Sequence, residues 1–119
     1  MEKNVRIGWL LDFYGEFLTE KQRSLLEMHV NDDLSLAEIA ERTGITRQGV
    51  HDALRRGSAT LEDCESRLGL MERTRTMQEG LAQALAFLEG RTTLNDKAVD
   101  ELRARLRALS AAWEGTNGL

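Results

Sequence analysis

The chain of 119 residues is 41% hydrophobic and 30% charged, contains no proline, and carries a formal net charge of −4. That length and balance fit one globular domain, or one small domain with an extension, able to bury a core without staples. The single cysteine, Cys64, excludes a disulfide framework within the chain and fits a reducing compartment.

The dominance of Ala, Leu, Glu and Arg, with proline absent, predicts an all-α fold. The sequence contains no amino-terminal h-region with a cleavage site and no apolar run long enough to cross a bilayer. A cytoplasmic protein without membrane insertion is therefore expected. The acid excess argues against indiscriminate coating of nucleic acid but leaves room for a local basic face.

In chain order, "VRIGWLLDFYGEFL" places Ile7, Leu10, Leu11, Tyr14 and Leu18 at helical spacing, with Trp9, Phe13 and Phe17 as a second stripe. So wide an apolar surface calls for cover on more than one side, from its own domain or from a partner. Gly8 and Gly15 weaken this helix by roughly 1 kcal/mol each, so packing has to hold it. Thr19 and Gln22 form a capping-box pattern ahead of Leu25, Leu26, Met28 and Val30. "NDD" breaks this second helix. Ser35 and Glu38 repeat the box and open a third, which Gly44 ends.

Thr46 then caps a fourth helix with no breaker before Gly69, so it runs for roughly 22 residues and about 33 Å. Val50, Leu54, Gly57, Leu61, Cys64, Leu68 and Met71 make a heptad-like seam along it. The seam requires a facing helix, in the same chain or in a second copy. "MQEGLAQALAFLEG" offers Met77, Leu81, Leu85 and Leu88. Beyond "RTTLN", with Asn95 as N-cap, residues 96–113 offer Val99, Leu102, Leu106, Leu109 and Trp113. The tail "EGTNGL" is expected to be loose. These features divide the chain into a head, residues 1–69, and a helical extension, residues 70–119, that serves packing or dimerisation.

Catalysis finds little support. Two histidines and one cysteine stand apart from metal-ligand spacing, and no phosphate loop or nucleophile elbow occurs. No metal or cofactor is expected. His51 and Asp52 are neighbours on a helix and are expected to point apart. His29 reads as a satisfied or solvent-facing side chain, and Cys64 as a small core residue.

"LAEIAERTGITRQGVHDALRR" meets the requirements of a helix-turn-helix. Ile39 faces the core, small Ala40 admits a close crossing, Gly44 turns, Ile45 plugs, and Val50 and Leu54 bury the inner face. Arg47, Gln48, His51, Asp52 and Arg55 then face outward. Arginine pairs bidentately with guanine and glutamine with adenine, so Arg47 and Gln48 are the candidates for base contact. His51 and Arg55 extend that face, and Thr46 and Arg56 suit phosphates. From Arg42 to Arg56 four arginines meet one acid, Asp52, a local excess of three.

These residues resemble region 4 of sigma-70-type factors. The longer stretch from "LLDFYGEFLTEKQR" through "NDDLSLAEIA" to "TRQGVHDALRR" is similar to the YlxM family of helix-turn-helix proteins, over roughly residues 3–75. The resemblance implies an all-helical, sigma-70 region 4-like head with a helical C-terminal extension. Such proteins are typically encoded beside the signal recognition particle GTPase, which implies a regulatory role in that pathway. It also implies that Arg47 and Gln48 face nucleic acid, while Gly49 departs from the alanine of many relatives.

The expected function is thus a nucleic-acid-binding regulator, acting as a homodimer on DNA or on the signal recognition particle RNA. The aromatic face of the first helix and the Val99–Trp113 stripe are the candidate dimer contacts, against the alternative of a tail folded back on its own core. The rival class is a protein adaptor that docks the particle's GTPase through helical surfaces without reading nucleic acid.

Overall fold

The computed structural model describes residues 1–116 of the chain, with side chains to residue 114. The described residues form α1 (Lys3–Tyr14), a 3-10 turn (Gly15–Phe17), α2 (Glu20–Val30), α3 (Leu36–Thr43), α4 (Arg47–Leu68), α5 (Leu70–Leu88) and α6 (Asp96–Thr116), with no strand among them. They divide into two compact units, Met1–Leu68 and Gly69–Leu119.

The helix starts follow from local chemistry. Thr19 Oγ1 accepts from the Gln22 amide at 3.1 Å, and the Thr19 amide donates back to Gln22 Oε1 at 3.2 Å. Ser35 and Glu38 form the same reciprocal pair at 3.1 Å each way. Both boxes satisfy donors that a helix start leaves orphaned. The Ser35 amide also holds the Glu38 carboxyl below its ordinary pKa, helped by the Ser35 hydroxyl. Asn95 Oδ1 accepts from the Ala98 amide at 2.8 Å and opens α6. Gly69 and Gly90 adopt positive φ at the ends of α4 and α5, a conformation that costs an L side chain energy.

In the first unit α1, α2 and α3 all pack against α4. Leu10, Tyr14, Leu25, Leu26, Ile39, Val50 and Leu61 are sealed from solvent. Burying each such side chain stabilises by about 1.5–3 kcal/mol. The tightest approach is at Gly57 of α4, where a Cβ would lie 2.7 Å from Leu26 Cδ1. His29 Nδ1 lies 2.8 Å from the Leu34 carbonyl, so it donates there and the ring is satisfied.

Two expectations for this unit are corrected. The first helix ends at Tyr14, and the chain tightens into a 3-10 turn before Leu18. Of the second aromatic stripe, Trp9 and Phe13 are therefore half-buried while Phe17 turns out to solvent, 66% exposed. The α4 seam holds through Val50, Leu54, Gly57 and Leu61, then fails: Cys64 is half-buried, Leu68 is exposed, and Glu65 is buried instead. A straight helix drifts about 20° per heptad from a 3.5-residue repeat. The far half of α4 is covered by α1, whose Arg6 and Tyr14 reach Glu62 and Glu65, and the buried line follows them.

The second unit is a helical hairpin. Three contacts give its antiparallel register: Arg73 lies over the Trp113 ring at 5.2 Å, Gly80 meets Leu109, and Arg105 lies over Phe87 at 5.5 Å. Here the Met77–Leu88 stripe is corrected. Gly80 and buried Ala84 face α6, whereas Leu81, Leu85 and Leu88 are exposed. Gly80 lies on the inner line because Leu109 of α6 fills the space a side chain there would need, a Cβ standing 2.5 Å from Leu109 Cδ1. The loose tail is corrected as far as Thr116, which ends α6; residues 117–119 lie outside the described residues.

Candidate nucleic-acid interface

The candidate interface is built from α3, a short turn and the first half of α4. Gly44 takes φ 75° and closes α3 with a bond from its amide to the Ala40 carbonyl. The Thr43 hydroxyl donates to the Ile39 carbonyl at 2.7 Å and accepts from the Ile45 amide at 3.3 Å, which ties the turn on both sides. Thr46 Oγ1 accepts from the Gly49 amide at 3.0 Å and starts α4. Ile39 and Val50 are sealed beneath, Leu54 is buried, and Ile45 and Ala40 are half-buried.

Gly49 is a fitted position, not a loose one. A Cβ there would stand 3.0 Å from both Ile45 Cγ2 and Thr46 Oγ1. The glycine leaves room for the plug and the cap together.

With Val50 and Leu54 inward, Thr46, Arg47, Gln48, His51, Arg55 and Arg56 are all exposed. Among the described residues, Arg47, Arg55 and Arg56 have no ion-pair partner, so their guanidinium groups face solvent. Asp52 organises the centre of the face. Its Oδ1 accepts from Gln48 Nε2 at 3.0 Å and lies 3.6 Å from His51 Nδ1. The expectation that His51 and Asp52 point apart is corrected: a short carboxylate can swing toward its helical neighbour. The bond to Asp52 spends one Gln48 N–H and leaves the second N–H and Oε1 free, the pair that adenine recognition needs.

Two residues of this surface carry no local sequence signal. A cleft of about 420 Å³ on one flank of α4 is lined by Lys3 of α1 together with His51, Arg55 and Ser58. On the other flank a depression of about 320 Å³ is lined by Lys21 of α2 with Gln22, Asp52 and Arg56. The recognition-type helix thus has one Lys–Arg pair on each side. Only the packing of α1 and α2 against α4 brings these lysines there.

Among the described residues, no group of three or more His, Cys, Asp or Glu side chains is placed to hold a metal ion. No described helix is long and apolar enough to cross a membrane.

Comparison with known proteins places these observations. The profile of the family described as "Putative helix-turn-helix protein, YlxM / p13 like" (UPF0122) matches residues 1–101. A UPF0122 protein of Clostridium kluyveri is 45% identical over 89 residues, covering 75% of this chain and 80% of the relative. One from Desulforamulus reducens is 40% identical over 90 residues, covering 76% and 77%. One from Bacillus mycoides is 38% identical over 97 residues, covering 82% and 88%.

Proposed function

Since the chain belongs to the UPF0122 family of YlxM/p13-like helix-turn-helix proteins, we propose that it is a cytoplasmic regulator that binds duplex DNA as a homodimer. The arrangement of charge around α4 carries this reading. Arg47 and Gln48 stand at the exposed start of the helix, and the pairs Lys3–Arg55 and Lys21–Arg56 flank it on opposite sides. A helix lying in the major groove meets base edges along its front and a phosphate strand on each side. Structured RNA, the signal recognition particle's own included, has a deep groove that excludes a helix and would be held through phosphates and shape. The family resemblance is what supports a regulatory role within the signal recognition particle pathway.

A second reading, an adaptor that docks the particle's GTPase, is favoured by the net charge of −4 and by the outward Phe17. Anisotropy titrations of a labelled mixed-sequence duplex and of the particle RNA, at several salt concentrations, separate the two. The DNA reading predicts tighter binding to the duplex, with log affinity falling linearly against log salt. Lys3→Ala and Lys21→Ala are each expected to reduce that slope by about 1. A tighter RNA complex transfers the same surface to the particle. No binding to either probe at low salt overturns the nucleic-acid reading in favour of the adaptor.

A further inference from the structure

The hairpin of α5 and α6 hides few of its own apolar side chains. Among its described residues only Met71, Ala84 and Ala98 are buried. Leu81 is 52% and Leu85 59% exposed, and Leu88, Leu106 and Trp113 are exposed as well.

These side chains share one face. At about 100° per residue, Leu81, Leu85 and Leu88 lie roughly a quarter turn from the Gly80–Ala84 line that meets α6. On α6, Val99, Leu106 and Trp113 are turned by a similar angle from the line through Ala98, Arg105 and Leu109. The two helices are right-handed and antiparallel, so equal turns bring both stripes to the same side of the hairpin. Glu72, Glu79, Gln83, Lys97 and Glu101 fall on the other side.

We infer that a second copy of this chain packs its own hairpin on this face, so that α5 and α6 of two chains form a four-helix bundle related by a two-fold axis. Three observations select a copy of the chain itself. From Gly80 to Leu88 α5 carries no ionisable residue, so the α5 stripe meets its own copy without juxtaposing like charges, while on α6 Arg103, paired with Asp100, stands at the edge of the stripe. Residues at alternating steps of four and three (Leu81, Leu85, Leu88, and Val99, Leu102, Leu106) have the periodicity of bundle interiors. The size also fits: two helices about 28 Å long, set about 10 Å apart, present roughly 500 Å² in projection. That is of the same order as the ~800 Å² per partner of a stable interface. The inference rests on the homodimer of the proposed function and gives it a surface; the aromatic face of α1 is not needed for it.

Sedimentation equilibrium of the full chain without nucleic acid tests this separately from DNA binding. The expected mass is twice the 13.4 kDa of the chain, falling to one chain in Leu81→Glu/Leu85→Glu with α-helical circular dichroism retained. A monomeric wild type overturns the inference. So does a dimer that survives the double substitution. Should that variant unfold, Leu85→Cys and Gln83→Cys, each with Cys64→Ser, are treated with a short bismaleimide. Covalent dimers from Leu85→Cys alone support the face; equal or absent cross-linking overturns it.

Discussion

The Tyr14 hydroxyl of α1 donates to Glu65 Oε1 of α4 at 2.6 Å, inside a core where Tyr14 is fully buried and Glu65 is 8% exposed. The bond explains why Glu65, one residue past the seam position Cys64, is the side chain that α4 buries here. Removing its donor leaves a buried acceptor without that partner. Tyr14→Phe is expected to cost about 1–3 kcal/mol, read from the midpoint of urea unfolding. Glu65→Gln keeps an acceptor for the hydroxyl and is expected to cost less. A Tyr14→Phe midpoint equal to wild type would show that the bond contributes nothing net.

A second link between α1 and α4 confers a pH dependence. Arg6 Nε and Nη2 donate to the two Glu62 carboxylate oxygens at 2.8 Å each. These bonds hold the Glu62 carboxyl below its ordinary pKa of 4.5, against a smaller opposing effect of burial. A carboxyl that binds protons less readily in the folded chain stabilises it above the unfolded-state pKa. That contribution is lost as pH falls through the lowered folded-state value. Both side chains are more than a third exposed, so it is expected to stay below about 1 kcal/mol. Thermal melts taken from neutral pH into the acid range check it: Glu62→Gln is expected to flatten part of the acid loss of stability. An acid limb identical to wild type would remove Glu62 from the account.

At the close approach of α2 and α4 a methyl group on Gly57 would stand 2.7 Å from Leu26 Cδ1, and Leu26, itself buried, would have to shift within the core to admit it. Gly57→Ala gains about 1 kcal/mol of helix propensity and meets an overpacking cost of about 1–3 kcal/mol. A net loss of stability is expected in chemical denaturation. A more stable variant would mean that the two helices separate at little cost.

On the recognition-type face, Arg47→Ala with Gln48→Ala is expected to lower duplex affinity by about 2–5 kcal/mol if both side chains read bases, with helicity unchanged. Asp52→Asn removes the carboxylate from the same surface. It is expected to raise affinity for all sequences while narrowing the gap between preferred and random duplexes, because Gln48 loses its charged tether. Unchanged affinity in the double variant would move the contact off the start of α4.

The order of the helices, their caps and the helix-turn-helix were legible in the sequence, because each is settled within a few residues. Thr19 with Gln22, Ser35 with Glu38, and Asn95 satisfy orphan amides in their own helices, and Gly44 and Gly69 accept positive φ without tertiary help. The outward placement of Arg47, Gln48, His51 and Arg55 follows from helical periodicity once Val50 and Leu54 are inward.

What each remaining face meets was decided by tertiary structure. Periodicity marks Leu81, Leu85 and Leu88 as one stripe, but the Gly80–Ala84 line takes the contact with α6, Leu109 filling the space over Gly80. Glu65 displaces Cys64 from the buried line because Tyr14 reaches it from another helix. Lys3 and Lys21 join the flanks of α4 only through the packing of α1 and α2. Helix formation and capping depend on neighbours within a turn or so, which the sequence itself supplies. Burial and charge clustering depend on residues distant in the chain, which only the packed fold brings together.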